Sequence, residues 1–212
     1  MPDQSQIPPS ELIEPAIQPR SESTRLKLLE AAIECFTQNG VAYTNTTSIA
    51  KKAGVTRGAY LHHFKTRENL IAGAVALMVE KAQAEISTGI RSLFSPERPS
   101  DVYARIWKQA YPESFYAGYE MMLLSRHDAT LRKEWMIQSS RFAEHRKAVL
   151  REIFSPSVVE KEAYPFLEAI ADFFRGIKIM EVVRSEKETL EVIKSVTPLF
   201  DTRLNQICQK LK

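Results

Sequence analysis

At 212 residues the chain is long enough for one or two domains and a sizeable hydrophobic core. An apolar fraction of 44% with a charged fraction of 26% excludes a wholly disordered polymer and a collagen-like or mucin-like fibre. The formal charge of +3, from 29 Lys and Arg against 26 Asp and Glu, points to no partner until its distribution along the chain is known.

Cys35 and Cys208 are too few and too far apart for a disulfide framework or a thiolate metal site, and they fit a reduced compartment. The opening MPDQSQIPP has neither the basic nor the apolar region of a secretory signal. The longest apolar run, Ala74 to Val79, is far shorter than the roughly 18 residues a membrane span needs. The expectation is a soluble cytoplasmic protein with no membrane association and no cofactor.

Residues 1–19 hold five prolines and three acids without a base, so they are expected to form a disordered arm. Beyond Arg20 apolar residues recur three and four apart and glycine is scarce, which predicts an all-α fold. A first helix over Ser23 to Asn39 gathers Leu28, Leu29, Ala32, Ile33 and Phe36 on one face and stops at Gly40. Thr46, Thr47 and Ser48 offer cap hydroxyls to a second helix that carries Ile49 and Ala50 and ends at Gly54. Thr56 caps a third helix over Arg57 to Phe64, and the short turn through Gly54 makes helices two and three a helix-turn-helix.

A long helix is expected from Thr66 to Phe94, closed by Pro96 and Pro99. Four or five more helices follow, with breaks near Pro112, His127–Asp128, Ser155–Pro156 and Ser185–Glu186. This divides the chain into the arm (1–19), a helix-turn-helix domain (20–66) and a helical domain (67–212).

Val55, Tyr60 and Phe64 face the core side of the third helix. The opposite face presents Thr56, Arg57, Ala59, Leu61, His62 and His63. Arg57, near the helix start, can reach guanine O6 and N7 or a phosphate, while Gly58 and Ala59 let the backbone approach groove walls. Thr46, Thr47 and Thr56 put hydroxyls and backbone N–H groups where phosphates bind, and Lys51, Lys52 and Lys65 add charge. Arg20 to Leu70 contains eight Lys or Arg and four Glu, so the positive charge is concentrated there.

From Thr24 to Ile71, the segments TRLKLLEAAIECFTQNG and TNTTSIAKKAGVTRGAYLHHFKTRENLI resemble the TetR family of transcriptional regulators. The resemblance implies a homodimeric DNA-binding protein, usually a repressor. It also implies a three-helix reading head and a C-terminal helical domain that binds a small effector and dimerises. The partners implied are a double-stranded, palindromic DNA operator, a second copy of the chain and a small molecule. One departure stands out: the family usually has an aliphatic residue followed by tyrosine where this chain has Tyr60 followed by Leu61. Leu61 is therefore the candidate for a thymine methyl, with Tyr60 partly buried, and His63 matches a position that approaches the DNA backbone.

Aromatic residues and methionines are dense between Tyr103 and Met136. Trp107 and Tyr111 share one helix face, as do Phe115 and Tyr119. Together with Tyr103, Met122, Trp135 and the later Phe173 they are candidates for an apolar ligand pocket, with plain core as the competing reading. Near the C-terminus, Leu190, Ile193, Thr197, Phe200, Leu204, Ile207 and Leu211 form a helix seam interrupted by Pro198, where a kink is expected. Phe166, Ile170, Phe174 and Ile177 belong to a preceding helix that is apolar on more than one side. With Phe200, Leu204 and Ile207 they are the expected dimer interface, as a four-helix bundle; a monomer core is the alternative.

His62 and His63 point about 100° apart on a helix, and His127 and His145 are isolated, so no metal site is expected. Ser139, Ser140 and His145 diverge along one helix, and no phosphate-cradling glycine loop or paired carboxylates occur, so no enzyme activity is expected. The function expected is a ligand-responsive repressor. The alternative is a helical small-molecule-binding or interaction module without operator function, suggested by the Tyr60–Leu61 departure.

Overall fold

A computed structural model describes residues 19–109 and 112–212. The arm falls outside that range apart from Pro19, as do Ala110 and Tyr111. The described residues form helices and no strand.

Helix α1 (Pro19–Asn39) begins four residues before Ser23, with proline at its start, where a missing N–H costs nothing. Its chain leaves at Gly40, whose φ of +80° suits glycine. Helix α2 (Thr46–Lys52) is capped by Asn45, whose side chain accepts the Ser48 N–H at 2.9 Å. The threonines thus lie inside the helix rather than at its cap, because the asparagine before them caps at least as well as a threonine. Gly54, at φ +68°, closes α2. The Val55 N–H reaches back to the Ala50 carbonyl and that of Gly54 to Lys51, the paired bonds of a Schellman stop. Helix α3 (Arg57–His63) is capped by Thr56, which accepts the Ala59 N–H at 3.1 Å.

Thr66 caps α4 (Arg67–Leu93), a helix of 27 residues and so about 40 Å long. There follow α5 (Val102–Gln109), α6 (Ser114–Leu124), α7 (Ala129–Ile153) and the short α8 (Pro156–Val158). A π-helical turn, Val159–Ala163, leads into α9 (Tyr164–Met180), and α10 (Glu186–Cys208) ends the fold. A capping box starts α10: Ser185 and Glu188 bond each other's backbone N–H groups. Pro198, where the kink is expected, lies inside this helix.

Two cores share α4. In the first, Leu28, Phe36, Ile49, Tyr60 and Phe64 pack on Leu70 and Ala74 of α4, and Met121 of α6 and Leu131 of α7 close it. In the second, Ile90 and Leu93 of α4 meet Tyr103 of α5, Leu150 and Phe154 of α7, Phe174 of α9, and Leu204 and Ile207 of α10. Each such fully buried side chain contributes about 1.5–3 kcal/mol. One long helix therefore ties the helix-turn-helix to the C-terminal helices.

Candidate DNA-reading head and effector cavity

The outer face of α3 carries the exposed Arg57, Gly58, Leu61 and His62, flanked by Thr47, Thr56 and Lys65. Thr46, Ala59 and His63 are half-buried at its edges. Tyr60 belongs to the opposite face: it is 2% exposed, and its hydroxyl is buried without a hydrogen bond. Tyr60 therefore cannot contact DNA in this conformation, and Leu61, half exposed, takes the outward position. Burial raises the Tyr60 phenol above its ordinary value, which keeps it neutral.

His62 and His63 stand edge to face with ring centres 5.3 Å apart. Burial, with the neighbouring charges of His62 and Arg25, holds the His63 imidazole below its ordinary value. Among the described residues there is no group of three or more His, Cys, Asp or Glu that could hold a metal. Lys51, Lys52 and Lys65 are all exposed, and Lys52 pairs with Glu34 of α1 at 2.7 Å. Cys35 is buried in the first core and its thiol is pushed up by that burial, which fits a packing role.

Two features of the head were missed in the sequence. Tyr43, in the loop between α1 and α2, is 87% exposed. Arg67 is spent on structure: Nη1 bonds the Thr44 carbonyl at 2.5 Å, Nη2 bonds the Val41 carbonyl, and its guanidinium lies over the Phe36 ring. Neither has a periodic signal, because each depends on where a loop returns.

Below the head, α4, α5, α7 and α9 enclose a cavity of about 740 Å³. Ile86, Ile90, Leu93, Ile106, Leu167 and Ile170 give it apolar walls, with Phe115 and Phe142 as its aromatic residues. Of the described aromatic and methionine candidates, Phe115 alone lines it. Tyr103 is buried in the second core, stacked on Phe174 and donating to Asp201 at 3.0 Å. Phe173 packs on Phe174 and Phe200, Trp135 packs on the first core, and Met122 faces outward. Tyr119 stacks on Phe115 away from the lining. The Trp107 side chain and Tyr111 lie outside the described residues. Aromatic density marked the region, but the cavity is built by aliphatic residues on the long helices around it.

The expected dimer residues are also redistributed. Ile170, Phe174, Ile177, Leu204 and Ile207 are 5% exposed or less within a single chain, and Ile170 lines the cavity. The wide apolar surface of α9 finds its neighbours in α5, α7 and α10, so these residues form the chain's own core. Phe166 and Phe200 are half-buried and pack on each other. Around the last two helices the most exposed apolar groups are Val182, Val183 and Leu199, each more than 70% exposed.

Three guanidinium groups line the cavity. Arg146 is 7% exposed, its guanidinium lies 4.5 Å from the Phe142 ring centre, and its Nη1 is 2.8 Å from Glu168 Oε1. That contact is an ion pair off the hydrogen-bond line, and both Arg146 Nε and Glu168 Oε1 remain buried without a hydrogen bond. Arg105 and Arg175 are less buried and bond Asp101 and Asp172. Among the described lining residues the one carboxylate is that of Glu85.

Residues 28–81 match the family model described as bacterial regulatory proteins, tetR family. Over 52 residues the chain is 44% identical to the HTH-type transcriptional regulator AcrR of Shigella flexneri, a match confined to 24% of either chain. An uncharacterized HTH-type transcriptional regulator of Mycobacterium bovis is 28% identical over 177 residues, covering 82% of this chain and 90% of that one. A solved TetR-family transcriptional regulator from Mesorhizobium loti shares the fold with a TM-score of 0.63 at 14% identity, over 91% of this chain and 98% of the other. These relatives are regulators and not enzymes, and no helix among the described residues is long and apolar enough to cross a membrane. Residues 28–81 thus form a helix-turn-helix head that matches the tetR family model, and with the all-helical body below it the chain is similar to DNA-binding transcriptional regulators of the TetR family.

Proposed function

We propose that the chain is a ligand-responsive repressor that binds a near-palindromic operator as a homodimer and is released by a small-molecule effector. The observation that carries this reading is the course of α4. Its first turns pack Leu70 and Ala74 into the head, and its last turns supply Ile86, Ile90 and Leu93 to the cavity wall. A ligand that prefers one placement of those last turns shifts the population of head positions by its differential affinity.

In this reading residues 20–66 form the reading head and residues 67–212 the effector and dimer domain. Arg57, Leu61 and His62 face base edges, while Thr46, Thr47, Thr56, His63 and Lys65 face phosphates, with Gly58 and Ala59 allowing close approach. Tyr43 joins the phosphate group by its exposure. The second copy docks through the outer side of the last two helices, where Leu199 and the Val182–Val183 corner are exposed. A monomer in sedimentation at micromolar concentration would remove the dimer.

The test is a mobility-shift titration against genomic fragments at two salt concentrations. Sequence-preferring binding that weakens as salt rises is expected. Arg57→Ala should lose about 1–3 kcal/mol of discrimination between sites, whereas Lys65→Ala should weaken all sequences alike. The absence of any sequence preference would overturn the proposal.

A further inference from the structure

We infer that the cavity takes an amphipathic organic anion, an apolar body bearing a carboxylate-like group that Arg146 holds. The inference rests on reading the cavity as the effector site and adds the chemical class of its occupant. The walls from α4, α5 and α9 are aliphatic, so the body of the ligand is apolar. The charge among the described lining residues is three arginines against Glu85.

Arg146 is the deep member of that set. It is more than nine-tenths buried, yet its Nε makes no hydrogen bond and its single carboxylate neighbour meets Nη1 off line. A buried guanidinium with donors to spare is complementary to a second carboxylate, which can engage two of its N–H groups at once. The carboxylates that neutralise the arginines, Asp101, Glu168 and Asp172, do not line the cavity, so the guanidinium groups stand between them and any occupant. An organic cation would meet three like charges there, and a neutral molecule could offer the Nε of Arg146 an acceptor but no opposite charge.

Calorimetric titration of the full-length protein with decanoate, 1-decanol and decylamine, one alkyl body with three head groups, tests this. Decanoate is expected to bind about tenfold or more tightly than either of the others. Arg146→Met should bring decanoate down to the level of decanol and leave decanol unchanged. Because Arg146 is buried, a thermal melt accompanies that variant, and Arg175→Gln at the less buried rim, expected to weaken decanoate several-fold, decides the matter if Arg146→Met does not fold. Decanol or decylamine binding as tightly as decanoate overturns the inference and leaves a ligand cavity standing, as does decanoate binding that neither substitution weakens. Tight decanoate binding that releases no DNA overturns the effector reading and leaves the anion site. Binding by none of the three overturns both.

Discussion

Glu120 of α6 accepts a hydrogen bond from the Val41 N–H at 2.6 Å, fastening the loop after α1 to the body of the protein. The same carboxylate lies 3.6 Å from where a side chain on Gly40 would begin, and Arg67 of α4 holds the carbonyls of Val41 and Thr44 from the other side. Helix α6 also lends Phe115 to the cavity, so it touches the cavity at one end and the head at Glu120. Glu120→Ala should cost about 1 kcal/mol, below the roughly 1.5–3 kcal/mol of a charged hydrogen bond because Glu120 is exposed. Hydrogen exchange at the Val41 amide should accelerate while Leu150 in the second core keeps its protection. An unchanged Val41 rate would show that the bond does not hold the loop.

Tyr60→Phe removes a hydroxyl that is buried without a partner. Urea unfolding should show stability equal to that of the wild type or raised by up to about 1 kcal/mol, since no hydrogen bond is lost. Affinity for DNA should not change. Leu61→Ala, on the exposed face, should instead reduce preference among DNA sites by about 1 kcal/mol while leaving stability within about 0.5 kcal/mol. A large affinity loss in Tyr60→Phe would put that hydroxyl back at the DNA.

At Gly73, α4 packs directly on Leu29 of α1. A Cβ there would stand 2.8 Å from Leu29 Cδ2 in the first core, and 3.5 Å from Phe64. Overpacking of about 1–3 kcal/mol opposes the helix gain of about 1 kcal/mol that alanine brings, so Gly73→Ala should fail to stabilise the protein or should destabilise it. Gly176, in α9, has nothing within 4 Å of its Cβ position, so Gly176→Ala should stabilise by about 0.5–1 kcal/mol. Denaturant midpoints of the two variants should therefore move apart. A Gly73→Ala gain equal to that of Gly176→Ala would mean that the α1–α4 contact relaxes freely.

What could be read from the chain is what local chemistry specifies. The stops at Gly40 and Gly54, the cap at Thr56 and the α3 face follow from residue type at fixed spacing. The dimer and pocket residues depend on which of several apolar faces meets which helix, and period alone cannot choose among them. Phe174 and Ile207 look as able to join a partner as to join their own core, and the five-helix packing around them decides. Arg146 is a charged residue whose importance lies in burial, which spacing does not reveal.

His63 gives the head a dependence on pH. Its imidazole sits below the ordinary value because of burial first, then the charges of His62 and of Arg25 from α1. As pH falls through about 6.5, the unfolded chain takes up this proton before the folded one does. The stability present above that pH is therefore lost as pH falls toward the folded value. Urea midpoints should drop between about pH 7.5 and 5.5, and His63→Gln should lessen the drop. Bound phosphates favour the imidazolium, so DNA binding should take up a proton across the same range and tighten as pH falls. Calorimetry in buffers of different ionisation heat measures that uptake, which His63→Gln should reduce. Identical uptake in the wild type and His63→Gln would place the titrating group elsewhere.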